Sequence, residues 1–208
     1  MTNILKDFKY LWYVIVHPFD GFYEIRFRGK KNYIVATILL ILYGLLNIIS
    51  YQYTGFIMNN NPIFRMNSIT LFLFALFPIA LFIVSNWSIT ALFDGSGNMG
   101  DIYVVLCYSL LPKIIFDFAG VIISNFIISE EVSILVAFTS IGTVWFCFLV
   151  FCGLCVIHEY TPFSNVVVLI STFVAAVIII FLITLYFSLM GRIINFVFTF
   201  ISELSKRW

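Results

Sequence analysis

The chain has 208 residues, of which 62% are hydrophobic and only 10% charged, with a formal net charge of +1. Soluble domains carry about 25% charged residues, so this composition excludes an ordinary water-soluble enzyme. The short stretches between apolar runs leave no room for a second folded unit, and residues 1–208 are expected to form one membrane domain.

The first predicted element is an amphipathic helix over Thr2–Val16. Ile4, Leu5, Phe8, Leu11, Trp12 and Ile15 recur at helical spacing, while Lys6, Asp7, Lys9 and Tyr13 fall on other faces. Two placements suit it: the headgroup layer of the membrane, or the loops of this same protein. Pro18 ends it, because proline lacks an amide donor and turns His17 away from helical geometry. No cleavable signal peptide is expected, since the first long apolar stretch begins at Tyr33 and no small-residue cleavage site follows.

Five apolar runs come next: Tyr33–Ser50, Ser68–Phe93, Ile102–Ile128, Val132–Ile157 and Asn165–Phe187. A helix of about 20 residues crosses a hydrocarbon core of about 30 Å. Lipid offers no partner to backbone polar groups, so each run must close its own hydrogen bonds as a helix. A barrel would need segments of roughly ten residues alternating apolar and polar, unlike these runs. The expected fold is all-α: a polytopic membrane protein with five spans (33–187), preceded by a segment 1–32 and followed by a tail 188–208.

Of 11 Lys and Arg, six precede the first span: Lys6, Lys9, Arg26, Arg28, Lys30 and Lys31. The loop Tyr51–Asn67 holds only Arg65, so the positive-inside rule sets the N-terminus in the cytoplasm of a cell-membrane protein. The four basic residues nearest the span serve as topology anchors, and each adds about 1 kcal/mol of attraction to anionic lipid. The tail Gly191–Trp208 is again amphipathic, with Asn195, Thr199, Ser202 and Lys206 on one stripe.

Several motifs invite chemistry. Gly95, Gly97 and Gly100 fit G-x-G-x-x-G, but they follow a span rather than a β-strand, and Asp94 and Asp101 would repel phosphate. Asp101 reads instead as the N-cap of the third span. Cys152, Cys155, His158 and Glu159 resemble a metal or redox set; a closed zinc site needs four ligands, and the chain has only two histidines. Cysteines near the C-terminal end of a span read better as small apolar residues. Lys113 and Asp117 lie four apart in the middle of the third span, just after Pro112. A charge at that depth costs about 2.5–3.5 kcal/mol and needs a partner, which each can supply to the other. Alternatively they form a polar spot on a conduction path. No catalytic residue, cofactor site or metal site is expected, and no nucleic-acid partner.

Three stretches carry a family resemblance: His17-Pro-Phe-Asp-Gly-Phe-Tyr-Glu-Ile-Arg; Asn86-Trp-Ser-Ile-Thr-Ala-Leu-Phe-Asp-Gly-Ser-Gly-Asn-Met-Gly-Asp-Ile-Tyr running into Cys107-Tyr-Ser-Leu-Leu-Pro112; and His158-Glu-Tyr before the fifth span. In this order they resemble the Yip family, the Ypt-interacting membrane proteins, in its bacterial branch. The resemblance implies five spans, a cytoplasmic N-terminus and no established catalytic residues. Eukaryotic members resemble adaptors for prenylated Rab-type GTPases. Bacterial members are commonly encoded beside carbohydrate ABC importers, which implies an accessory role with the permease. Lys113 departs from the apolar residue expected after the proline. The expectation is therefore a scaffold whose partners are membrane lipids and a permease or a second copy, with Phe8, Trp12, Asp94, Gly95, Gly97, Asp101 and Pro112 as candidate contacts. The alternative is a small transporter or channel built on Lys113 and Asp117.

Overall fold

The computed structural model describes residues 2–59 and 67–207, and within them the side chains of all but 2–8, 204, 205 and 207. Among the described residues seven α-helices follow one another: α1 Thr2–Val16, α2 Pro18–Phe27, α3 Tyr33–Tyr53, α4 Ser68–Thr90, α5 Met99–Ser124, α6 Val132–His158 and α7 Pro162–Arg207. The last five are long and apolar enough to cross a membrane, as the five runs required. Asn32 starts α3 and Asn67 starts α4, each side-chain oxygen accepting from two amide N–H groups of the first turn.

α5 is the central helix. From Ile102 to Leu110 nearly every residue is buried, and α3 and α6 pack along its two sides. Lipid supplies no hydrophobic drive between spans, so close approach of backbones has to supply the attraction. Gly153 of α6 shows how: a methyl group there would meet the side chains of Val105 and Phe22, which fill that space instead. The densest packing lies toward one end of the bundle. Leu11 and Val14 of α1 and Phe22 and Ile25 of α2 join Val35, Leu39, Ile102, Val105, Leu154 and Ile157 in a single core.

Three features differ from the sequence reading. First, α1 ends before Pro18 as expected, but a second helix that the sequence reading did not name follows at once: Pro18 is the first residue of α2, where a missing amide hydrogen costs nothing. Second, the inward face of α1 is set by Leu11 and Val14, whereas Trp12 is 59% exposed; α1 packs on α2 and α5, so the placement against this same protein is the one adopted. Third, the fifth span and the amphipathic tail are one continuous helix of 46 residues. Gly191 lies within it, because a lone glycine costs only about 1 kcal/mol in a helix and no proline follows. The Asn60, Asn61, Pro62 and Arg65 part of the α3–α4 connection lies outside the described residues.

Candidate functional site

The three motif stretches, far apart in the chain, converge at the densely packed end of the bundle. The first turn of α5 organises them. Asn98 takes the N-cap position, and Asp101 is three residues on, its carboxylate accepting from the Asn98 amide N–H at 3.0 Å. This replaces the expectation that Asp101 itself would cap α5; an acid at the third helical position reaches back over one turn to the cap amide. The positive end of the helix dipole favours a carboxylate there as well.

Two cations close on that carboxylate. Arg26 Nη1 donates to Oδ2 at 2.5 Å and Lys31 Nζ donates to Oδ1 at 2.7 Å. The second Arg26 nitrogen donates to the Ser96 carbonyl, also at 2.5 Å. Asp101 is only 3% exposed, and these charge-assisted donors offset the loss of water. Burial is the largest single influence on the Lys31 ammonium and pulls its pKa down, but hydrogen bonds and charge attraction from Asp101 and Tyr33 together outweigh it and hold it above the usual lysine value.

The third stretch grips the hairpin from the other side. Gly97 N–H donates to His158 Nδ1 at 3.3 Å, and Tyr160 OH donates to the Phe93 carbonyl at 3.2 Å. Ser96 Oγ lies 3.2 Å from the Ile157 carbonyl and 3.3 Å from Glu159 Oε1. His158 and Tyr160 stack with centroids 5.2 Å apart. A Cβ at Gly95 would lie 2.6 Å from the Tyr160 hydroxyl oxygen, and one at Gly97 2.9 Å from His158 Cε1. The glycine spacing that mimics a nucleotide loop is thus a packing requirement against His158 and Tyr160 and, at Gly100, against Tyr33.

The outer side of this clasp is aromatic. Trp12, Tyr13, Phe19, Tyr23 and Phe27, all on α1 and α2, are exposed, while their neighbours Leu11, Val14, Phe22 and Ile25 fill the core. The hairpin is tied internally by Tyr10 OH donating to the Gly21 carbonyl at 2.7 Å and by Glu24 accepting from Lys30 and, at 3.1 Å, from Arg28.

A second polar point lies in mid-span. Lys113 Nζ is 2.9 Å from Asp117 Oδ2 and donates to Thr143 Oγ of α6 at 3.2 Å. Asp117 borders a cavity toward Ser50, Thr54 and Ser124, while Lys113 borders a different, apolar one.

Of the candidate contacts named from sequence, Asp101 and Pro112 are buried within the bundle, and Gly95 and Gly97 face His158. Asp94 is exposed in the hairpin with a left-handed φ of 52°. Trp12 faces outward, and the Phe8 side chain lies outside the described residues. Sequence reasoning treated Arg26 and Lys31 as topology anchors and quoted His158 and Tyr160 within a family stretch, with no partner assigned to them. The signal available was a lone acid opening a span, with basic residues just before an earlier span on the same side.

A polar seam between α4 and α7 was also missed. Asn86 Nδ2 donates to Thr172 Oγ at 3.1 Å, and both residues are buried. Cys152 and Cys155 are free and buried in α6, and no group of three or more metal-binding side chains exists among the described residues. The family model described as Yip1 domain matches residues 12–197. No curated protein and no solved structure matches the chain.

Proposed function

The chain belongs to the Yip family, and from that premise we propose that it is a non-enzymatic scaffold of the plasma membrane with its N-terminus in the cytoplasm. One observation carries this reading. The α1–α2 hairpin is pinned to the spans by Arg26, Lys31 and Asp101, yet it turns Trp12, Phe19, Tyr23 and Phe27 outward. Large aromatic side chains lose little conformational freedom on contact and dominate interface energies. A rigid platform carrying them is preorganised to dock. The partner that best fits the family resemblance is a membrane complex such as a carbohydrate ABC importer permease; a second copy of the chain is the other occupant considered.

The test is purification of tagged protein in gentle detergent from cells expressing Trp12→Ala with Phe19→Ala. The double variant should insert and melt like the wild type, because both side chains face outward. Co-purification of the larger membrane complex should fall at least fivefold. Equal recovery of the complex with both proteins would remove the platform from the argument.

A second reading draws on Lys113 and Asp117, which border separate cavities and so form a polar septum within the bundle. That placement suits a small transporter or channel. Reconstituted vesicles decide it: solute or ion flux abolished by Asp117→Leu, from protein purified free of any partner, would replace the scaffold with a transporter.

A further inference from the structure

Two adjoining cavities that open between the spanning helices differ in the chemistry of their walls. One, of about 500 Å³, lies between α3 and α4 and is edged by Asn47, Ser50, Tyr51 and Thr54. The other, of about 410 Å³, touches all five spanning helices and is walled by apolar side chains such as Phe82, Leu106, Leu110, Phe146 and Phe173. Tyr43, Ala75 and Pro78 border both, so they form the neck between a polar and an apolar compartment. Each volume falls in the range of about 300–1,000 Å³ typical of small-molecule sites.

The polar wall is made of neutral hydroxyl and amide groups. The Asn47 amide gives a proton to the Tyr43 carbonyl at 2.8 Å, and the Thr54 hydroxyl gives its proton to the Ser50 carbonyl at 2.5 Å. The Asn47 amide keeps its oxygen and a second N–H for a ligand, Thr54 keeps its hydroxyl lone pairs, and the Ser50 and Tyr43 hydroxyls on the same wall can donate or accept. Pro78 has no amide hydrogen, so it returns no helical bond to the carbonyl of Phe74, which borders the same compartment. Among the described residues no charged side chain lines it. In the apolar compartment the one ammonium, Lys113, is neutralised by Asp117.

With no free cation among the described residues of either wall, nothing neutralises a phosphate or a free carboxylate. The walls suit a molecule with neutral hydroxyl groups at one end and hydrocarbon at the other. Inside a bilayer, an apolar cavity bordered by lipid-facing helices is filled by hydrocarbon and not by water. We propose that the two cavities form one site for a neutral single-chain amphiphile, a monoacylglycerol-like lipid. Its hydroxyl-bearing head lies against Asn47 and Thr54, and its chain passes Ala75 and Pro78 into the space between Leu110 and Phe146. The occupant is a lipid held between the helices, distinct from the annular lipid around them.

The experiment uses the full chain in vesicles of phosphatidylcholine and phosphatidylglycerol. The probe is a monoacylglycerol carrying a diazirine in mid-chain and a terminal alkyne. Saturable labelling should map to the α5 and α6 peptides containing Leu110 and Phe146, and an excess of unlabelled monoacylglycerol should suppress it. Ala75→Phe, which narrows the neck, should cut labelling at least fivefold. Asn47→Leu with Thr54→Val leaves the apolar compartment intact; it should weaken competition by monoacylglycerol at least fivefold but leave competition by the methyl ester of the same chain unchanged. Unsaturable labelling spread along α7, equal in the wild type and in whichever variant folds, would overturn the site. Competition by lysophosphatidylglycerol as strong as by monoacylglycerol would overturn the neutral head.

Discussion

At the residue scale, Asp101 joins three parts of the chain through one carboxylate. Asp101→Ala leaves Arg26, Lys31 and the Asn98 amide without their acceptor. Breaking a buried pair from one side costs about 3–5 kcal/mol. Arg26 and Lys31 keep side-chain exposures of 20% and 23%, so the lower end, about 3 kcal/mol, is expected. The readout is thermal melting of purified protein in detergent; an unchanged midpoint would mean that the clasp carries no stability. Glu24 adds a pH dependence. Its hydrogen bond from Lys30 holds the carboxyl below its usual value. A lowered folded-state pKa gives stability that is present above the unfolded value, about 4.3, and is lost as pH falls through the lowered one. Glu24→Gln should therefore melt below the wild type at pH 7, and the gap should close toward pH 3. A gap that persists in acid would break the assignment. Lys31 has the opposite sign: its raised pKa gives stability present below about 10.4 and lost only as pH climbs beyond the raised value. In mid-span, Lys113→Leu with Asp117→Leu should fold, whereas Asp117→Leu alone should melt lower by leaving an ammonium unpaired in hydrocarbon. Equal melting of the single and double variants would show that pairing is not what keeps Lys113 tolerable.

At the element scale, the helices that sequence revealed are those whose signal is length and apolarity. All five spans were visible because no other element needs some twenty apolar residues in a row. α2 was not, since Pro18–Phe27 mixes Asp20, Gly21, Glu24 and Arg26 with aromatics and has no clear period. Its only local sign was proline at a first helical position followed by an acid. The continuity of α7 was hidden for a different reason: among the described residues its second half is almost wholly exposed, so no tertiary contact marks where a span should end. At about 1.5 Å per residue, its 46 residues extend roughly 70 Å, more than twice the hydrocarbon thickness. From Ile180 to Ser202 nearly all of its residues are exposed. Deletion from Asn195 onward should thus leave insertion and melting unchanged. A large fall in melting temperature would reveal a contact from the tail back to the bundle.

At the scale of the whole molecule, the two loops that meet in the clasp, Ala91–Asn98 and Glu159–Thr161, must lie on the same side of the membrane as α1 and α2. Counting crossings from a cytoplasmic N-terminus places them there too, and the charge asymmetry supplied that orientation. Cysteine introduced at Leu92 should resist an impermeant thiol reagent in intact cells, while cysteine at Phe56, 96% exposed at the opposite end, should react. The reverse pattern would invert the protein in the membrane. The clasp itself was only half legible. Its parts were quoted as motifs, but a spacing along the chain does not say that His158 will stack against a glycine hairpin some sixty residues earlier. The cavities were not legible at all, because a void is a property of how five helices fail to fill space together.

The separation of the clasp partners also sets an order of assembly. Arg26 and Asp101 lie 75 residues apart, and His158 comes later still. At synthesis rates of about 5–20 residues per second, Asp101 emerges on the order of four to fifteen seconds after Arg26. Through that interval Phe22 and Ile25 have no core to enter, and the α1–α2 hairpin waits beside a pair of inserted spans. A nascent chain is therefore open to chaperones and proteases at its N-terminus until α5 and then α6 arrive, and docking of that hairpin reports that both helices are in place.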